Sequence, residues 1–148
     1  MADDAYELAV DALGRKERST AELGAWLKAR GVAEEEAEGA IARLSDLGEL
    51  DDARFARRFA EDKRELAGWG AERIREALLA RGLPPEDIEA ALAPDSEPDQ
   101  VERATELLIR RGRPLDSEGA RASALGYLTR KGYTYEIAHE AIRARSRS

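Results

Sequence analysis

The side chains of this sequence that could do chemistry are mainly arginine and lysine, grouped in short stretches. Cysteine is absent and His139 is the only histidine, so the chain lacks a thiol nucleophile and the ligand sets typical of zinc sites. The sequence also contains no glycine-rich phosphate loop and no H-E-x-x-H motif. We therefore expect a binding protein rather than an enzyme, with no metal or cofactor.

The candidate partner-binding residues are basic side chains and one tryptophan. They are Arg15, Lys16, Arg18, Arg54, Arg57, Arg58, Lys63, Arg64, Trp69, Arg73, Arg110, Arg111 and Arg113. The first three lie in a predicted loop whose only acid is Glu17, which favours contact with a partner. For the group from 54 to 64 the alternative is a solvated helix face, because Glu61, Asp62 and Glu65 could form ion pairs with it.

The tryptophans and the histidine have structural interpretations beside any functional one. Trp69, flanked by glycines, is either a packing anchor under its loop or an exposed contact residue. Trp26 is expected in the core. His139 could pair locally with Glu136 or Glu140 and is not expected to bind a metal or act as a general base. The arginines at 110–113 end a predicted helix, where the helix dipole explains part of their charge and partner binding could explain the rest.

The composition favours an elongated helical protein. Charged residues make up 37% of the 148 residues and aromatic residues only 5%, so any core must be aliphatic and thin. The absence of cysteine fits a reducing cytoplasm, and the acidic N-terminus lacks the basic and apolar blocks of a signal peptide. No run approaches the roughly 20 apolar residues of a membrane span. We expect a soluble cytoplasmic protein.

The net charge of −7 is distributed unevenly along the chain. Residues 1–50 carry −6, residues 51–92 carry −2, residues 93–98 carry −2 and residues 99–148 carry +3. A chain this acidic is a poor non-specific DNA binder, because affinity for duplex DNA depends on neutralising phosphates. Local basic faces could still bind an acidic partner.

An internal repeat is the most informative feature of the chain. Three predicted helices end in a basic residue and a glycine, at Gly31, Gly82 and Gly132, with spacings of 51 and 50 residues. Alignment on these glycines brings apolar residues into register. The aligned sets are Leu27, Leu78 and Leu128; Leu23, Ile74 and Ala124; Ile41, Leu92 and Ile142; and Leu8, Phe59 and Ile109. The pattern indicates three copies of a three-helix unit.

Hydrophobic periodicity and capping residues predict where the helices lie. The predicted helices span about 3–14, 20–30, 33–47, 51–67, 70–81, 85–92, 99–111, 117–131 and 134–145. In the fourth helix Phe55, Phe59 and Leu66 form the predicted apolar stripe. In the fifth helix Leu79 is expected to point inward.

The predicted architecture is all-α, with tandem three-helix repeats at residues 1–50, 51–92 and 99–148, the last with a basic tail. Residues 93–98 contain two prolines and are expected to form a linker that acts as a semi-rigid hinge. Short helices bury little surface alone, so stacked repeats should share a core in an elongated, curved, solenoid-like body. Such a body offers a long grooved face that suits an extended, repetitive partner.

Two stretches of the chain carry a resemblance to a known family. The run L-D-D-x-x-F-A-x-x-F at 50–59, followed by G-W-G-x-x-R-I-x-x-x-L-x-x-x-G at 68–82, resembles the central repeat of the RecX family. The run R-K-E-R-S-x-x-E-L-x-x-W-L-x-x-R-G at 15–31 resembles the first repeat of the same family. The resemblance covers residues 5–92 well and residues 99–143 more loosely.

RecX proteins are bacterial regulators of the RecA recombinase. The resemblance implies a monomer without cofactor that binds along the groove of the RecA–DNA filament and inhibits recombinase, ATPase and co-protease activities. It implies capping or destabilisation of filaments. The basic residues named above are our candidates for touching RecA's acidic surface or the DNA within the filament. The acidic net charge favours contact with protein over contact with DNA.

Two other functions fit parts of the sequence. In a helix-turn-helix DNA-binding protein, G-W-G-A-E-R-I-R at 68–75 could open a recognition helix. Such a helix should read bases with arginine, asparagine or glutamine near its start, yet asparagine is absent and the only glutamine is Gln100. A non-catalytic helical scaffold for another protein partner is the second alternative, and it predicts no effect on DNA-dependent activities.

Overall fold

Nine helices account for most of the chain between Ala2 and Arg147, the residues whose backbone this computed structural model describes; side chains are described from Asp4. They are α1 (Ala2–Arg15), α2 (Thr20–Ala29), α3 (Glu34–Asp46), α4 (Asp52–Leu66), α5 (Ala71–Ala80), α6 (Pro85–Leu92), α7 (Glu97–Arg111), α8 (Glu118–Lys131) and α9 (Tyr135–Arg147). Over the residues described, none of these helices has the length and apolar character needed to cross a membrane. The predicted all-α class is confirmed.

Capping residues set several helix ends, as the sequence predicts. Ser19 accepts a hydrogen bond from the Glu22 amide while Glu22 accepts one from the Ser19 amide, a complete capping box at the start of α2. Asp51 caps α4 through the Arg54 amide. The boundary before α7 was predicted wrongly. Ser96 is its N-cap and Pro98 lies in its first turn, so the segment between α6 and α7 is 93–96 rather than 93–98.

Each repeat has its own apolar core around its middle helix. Leu27, Leu78 and Leu128 are fully buried, as are Leu23, Ile74 and Ala124, so the alignment on the three glycines is confirmed at these positions. Other apolar predictions are wrong. The side chains of Leu66, Leu79 and Ile109 are exposed, because α4, α5 and α7 turn these positions away from their own cores.

The middle helices of successive repeats meet end to end. The N-terminus of α2 lies against the C-terminus of α5, where the Ser19 hydroxyl donates to the Arg81 carbonyl at 2.6 Å. The Arg81 guanidinium forms two 3.0 Å hydrogen bonds to the Glu22 carboxylate. Burial acts to raise the pKa of Glu22, but the hydrogen bonds from Arg81 and the Ser19 amide outweigh it and hold this pKa below its ordinary value.

The same arrangement joins repeats two and three. The N-terminus of α5 lies against the C-terminus of α8, where the Gly70 and Glu72 amides donate to the Lys131 and Gly132 carbonyls at 2.9 and 3.0 Å. The approach is close, since a Cβ on Gly70 would lie 2.4 Å from the Gly132 oxygen. Glycine therefore permits backbone-to-backbone contact between these two repeats.

A buried carboxylate lies at the centre of the junction between repeats two and three, which we call the second junction. The Asp95 side chain is 1% exposed and receives two hydrogen bonds from Arg103, at 2.8 and 2.9 Å, and an ion pair from Arg64 at 3.4 Å. Burial acts to lower the pKa of Arg103, but Asp95 and Tyr133 outweigh it and raise this pKa above its ordinary value. These contacts tie segment 93–96 to repeats two and three, so we expect it to restrain bending rather than act as a hinge.

Candidate partner-binding surface

A cleft between repeats one and two brings together basic residues that are far apart in the sequence. Its walls come from α1, the end of α3 and the start of α4, and its volume is about 690 Å³. Three of the predicted basic residues line it, namely Arg18, Arg54 and Arg58. We call this space the first cleft. Because the cleft is lined by residues of two repeats, the sequence pattern within one repeat does not predict it.

The first cleft combines charged groups with exposed apolar side chains. Val10 is 45% exposed and Leu47 is 58% exposed, and both line it. Arg54 is half-buried at the wall of the cleft, and its buried Nε has no hydrogen-bond partner among the described residues. The cleft also contains acidic residues, so it presents groups of both signs. Such a lining suits a partner with carboxylates and a small apolar contact.

A second cleft, of about 550 Å³, lies between repeats two and three. It is formed by the end of α4 and by α7, and it is lined by the predicted residues Arg64 and Arg110. Arg103 and Lys131 line it too, although neither is among the residues that the sequence predicts for the site. Arg64 and Arg103 bind Asp95, and the Lys131 ammonium donates to the Ala67 carbonyl at 3.1 Å. Arg110 pairs with Glu106 at 3.6 Å, but its side chain is 74% exposed, so it is the most accessible of these four charges. The two clefts are related by one repeat along the chain.

The Trp69 ring packs against the core of repeat two and contacts two cationic side chains. It packs edge-on against Phe59 at 6.3 Å between centroids and is half-buried, which favours the packing interpretation. The Lys63 ammonium lies 4.8 Å and the Arg73 guanidinium 4.0 Å from the Trp69 ring centroid. Arg73 also donates to the Arg130 carbonyl at 3.3 Å. The predicted residues Lys63, Trp69 and Arg73 therefore form one group that supports the second junction.

The prediction that Trp26 lies in the core is only partly correct. It packs on the core of repeat one but is only half-buried. The guanidiniums of Arg30 and Arg18 lie 3.6 and 5.3 Å from its ring centroid. Arg18 also donates to the Ala12 carbonyl at 3.3 Å. Trp26 therefore positions Arg18 at the edge of the first cleft.

The other predicted basic residues lie outside the two clefts. Arg15 pairs with Asp11 at 3.0 Å, and Arg111 donates to the Ser123 hydroxyl at 3.0 Å. Lys16, Arg57 and Arg113 are exposed. Within residues 4–147 the basic residues of α4 form no ion pair with the neighbouring acids of that helix, and Arg64 pairs with Asp95 instead. The predicted local pairing of this helix face is therefore absent from the described structure.

His139 packs against an aromatic ring rather than pairing with a glutamate. Its ring centroid lies 4.1 Å from that of Tyr135. Its buried Nε2 has no hydrogen-bond partner among the described residues. The local pairing with Glu136 or Glu140 that the sequence allows therefore does not involve this nitrogen.

Comparison with known proteins identifies the family. Models of the first and second three-helix domains of RecX match residues 5–44 and 51–92. Regulatory protein RecX of Ectopseudomonas mendocina is 36% identical over 137 residues, which cover 91% of this chain and 90% of that protein. The chain belongs to the RecX family. Regulatory protein RecX of Thermus thermophilus is 38% identical over 143 residues, covering 97% of this chain and 93% of that protein.

Solved RecX structures share the fold. The crystal structure of RecX from Lactobacillus salivarius matches with a TM-score of 0.88 at 22% identity, covering 99% of this chain and 97% of that one. A second crystal structure of a regulatory protein RecX matches with a TM-score of 0.81 at 24% identity, covering 97% and 71%. The matched RecX domains include both walls of the first cleft, since Arg18 lies in the first domain and Arg54 and Arg58 lie in the second.

The helix-turn-helix interpretation conflicts with the geometry of this RecX family member. A recognition helix presents its N-terminal residues to the DNA groove. Gly70 and Ala71, at the start of α5, are buried. Their amides donate to the Lys131 carbonyl and the Gln100 side chain. The N-terminus of α5 is therefore occupied by repeat three and cannot enter a groove.

Proposed function

We propose that this protein regulates the RecA recombinase by binding the RecA–DNA filament, with inhibition of its recombinase, ATPase and co-protease activities as the main effect. The observation that carries the proposal is similarity, over nine-tenths or more of the chain, to proteins named regulatory protein RecX. The protein acts as a monomer without a cofactor, and the relatives' names describe a regulator rather than an enzyme.

The two clefts supply a physical reason why a filament is a suitable partner. A filament presents the same surface repeatedly, and this chain presents a similar cleft twice, at successive junctions. We place the filament's acidic groups against Arg18, Arg54 and Arg58 in the first cleft, and against Arg110 in the second. Occupying two sites at once raises the effective concentration at each, so weak contacts combine into useful affinity.

Protein contacts dominate over DNA contacts in this proposal. Binding to duplex DNA requires a continuous basic surface that neutralises several phosphates. Both clefts mix basic and acidic residues, and the whole chain carries −7. Mixed charge gives specificity for a partner of complementary pattern rather than general affinity for phosphate.

Charge reversal at neighbouring positions of α4 tests this assignment. Arg58 lines the first cleft and Arg57 does not, although both side chains are exposed. We expect Arg58→Glu to weaken binding to RecA filaments on single-stranded DNA by about tenfold, roughly 1.4 kcal/mol. Co-sedimentation or fluorescence anisotropy measures the affinity, and circular dichroism checks that helicity is unchanged.

The matched control is Arg57→Glu, which makes the same change of charge one residue away. We expect it to alter the affinity by less than about twofold, since exposed charges away from an interface contribute little. Equal weakening by both variants would indicate general electrostatic attraction and remove the first cleft from the site. Unchanged binding by Arg58→Glu would also exclude it.

A further inference from the structure

Repeat one contains an open groove at a place where repeat two is filled. The groove lies between α2 and α3 and has a volume of about 380 Å³. Its floor is formed by Gly24, Val32 and Ile41, and its rim by Lys28, Glu34 and Glu38. It is separate from both clefts. Its two carboxylates against one ammonium make it acidic.

The equivalent groove of repeat two shows which side chain fills such a space. Alignment on Gly31 and Gly82 places Arg75 at the position of Gly24 and Glu89 at the position of Glu38. Arg75 crosses from α5 to α6 and donates two hydrogen bonds to the Glu89 carboxylate, at 2.9 and 3.0 Å. Its guanidinium also pairs with Glu72. In repeat two, the chain therefore supplies the arginine itself.

Repeat three covers the same position with an apolar side chain. Leu125 aligns with Arg75 and packs on the core of repeat three. His139 aligns with Glu89, so the carboxylate of repeat two is replaced by an imidazole at this position. The covering side chain therefore corresponds to the residue opposite it. Repeat two has Arg75 opposite Glu89, and repeat three has Leu125 where the glutamate is replaced by His139. Repeat one keeps the glutamate, as Glu38, but has no covering side chain.

Packing inside repeat one does not require glycine at position 24. A Cβ there would lie 3.7 Å from the Ile41 Cδ1 atom, an ordinary van der Waals contact. Glycine within a helix is less favourable than alanine, so the chain carries a local cost that its own packing does not explain. Among residues 4–147, Glu34 and Glu38 have no ion pair or side-chain hydrogen bond. Both carboxylates remain available.

We propose that this groove binds an arginine side chain of a protein partner. The guanidinium pairs with Glu38 as Arg75 pairs with Glu89, and the aliphatic part of the side chain lies over Val32 and Ile41. A planar guanidinium fits a carboxylate in a two-point contact that an ammonium cannot make. The site does not depend on the filament proposal, because it requires only an exposed arginine on the partner.

Titration with a blocked three-residue peptide carrying a central arginine tests the site. Amide NMR spectra of the full chain should show saturable shifts at Gly24, Lys28 and Ile41. The same peptide with citrulline, which is neutral and of similar shape, should cause shifts several-fold weaker. Absence of saturable shifts, or equal shifts with both peptides, would overturn the proposal.

Two substitutions at the same position separate filling of the groove from effects on folding. Gly24→Arg places the covering side chain in the chain itself, as in repeat two, and should abolish the peptide shifts while raising the unfolding midpoint. Gly24→Ala should also raise the midpoint but keep the shifts. Glu38→Gln should weaken them without filling the groove. Peptide shifts that persist in both Gly24→Arg and Glu38→Gln would place the arginine elsewhere.

Discussion

Replacing Asp95 with asparagine is expected to destabilise the junction between repeats two and three by about 2–4 kcal/mol. Asparagine has nearly the same size but no charge, so the positive charges of Arg103 and Arg64 would lose their buried counterion. Breaking one side of a buried ion pair costs about 3–5 kcal/mol. The estimate here is lower because the two arginine side chains are 18% and 17% exposed.

Urea unfolding and amide hydrogen exchange measure this effect at two levels. The free energy of unfolding should fall, and the Gly70 and Glu72 amides should exchange faster because their acceptors lie on repeat three. Asp99→Asn is the control. It removes the same charge from an exposed position in the first turn of α7, where the effect should be about 0.3–1 kcal/mol. Equal destabilisation by both variants would contradict a central role for Asp95.

Gly132→Ala is expected to destabilise the protein by about 3–4 kcal/mol. Gly132 has a φ of +106°, and a Cβ there would lie 2.3 Å from the Arg73 Cβ and 2.7 Å from the Arg73 nitrogen. The left-handed backbone costs an L-residue about 1–2 kcal/mol. Moving the backbone to relieve the clash would also weaken the Gly70 and Glu72 hydrogen bonds across the junction, each of about 1 kcal/mol.

Gly31→Ala separates backbone strain from the clash between repeats. Gly31 is the equivalent glycine of repeat one, with a φ of +80°, but an added Cβ would meet nothing within 4 Å. We expect a loss of about 1–2 kcal/mol, from the backbone conformation alone. Thermal unfolding followed by circular dichroism compares the two variants, and Gly132→Ala should also make repeat three unfold separately. Similar losses would mean that the junction tolerates movement.

Local signals were enough to predict the fold of each repeat. Ser19 with Glu22 and the glycines after the middle helices mark helix ends through contacts within a few residues. Leu27, Leu78 and Leu128 are buried because one periodicity recurs three times. Leu66 and Leu79 show where this reasoning fails. Each has a helical spacing that fits the apolar stripe, but the orientation of its helix is set by packing that the sequence pattern does not record.

The residues of the candidate surface were harder to predict, because their roles depend on contacts between repeats. Arg54 and Arg64 belong to the same basic stretch of α4, yet Arg54 lines the first cleft while Arg64 binds Asp95. In the sequence, nothing distinguishes Asp95 from the other acidic residues near it in a proline-containing linker. Its position between two prolines, followed by Arg103 two turns into the next helix, is a signal that could have suggested a buried pair.

ATP hydrolysis by RecA on single-stranded DNA, measured while this protein is titrated in, tests the central claim most directly. We predict that hydrolysis falls as the protein is added, and that the effect saturates at or below one molecule of this protein per RecA. Suppression far below that ratio would favour capping of filament ends, and suppression near it would favour occupancy of the groove. Unchanged hydrolysis by a cognate RecA, with protein shown to be folded, would contradict the proposed function.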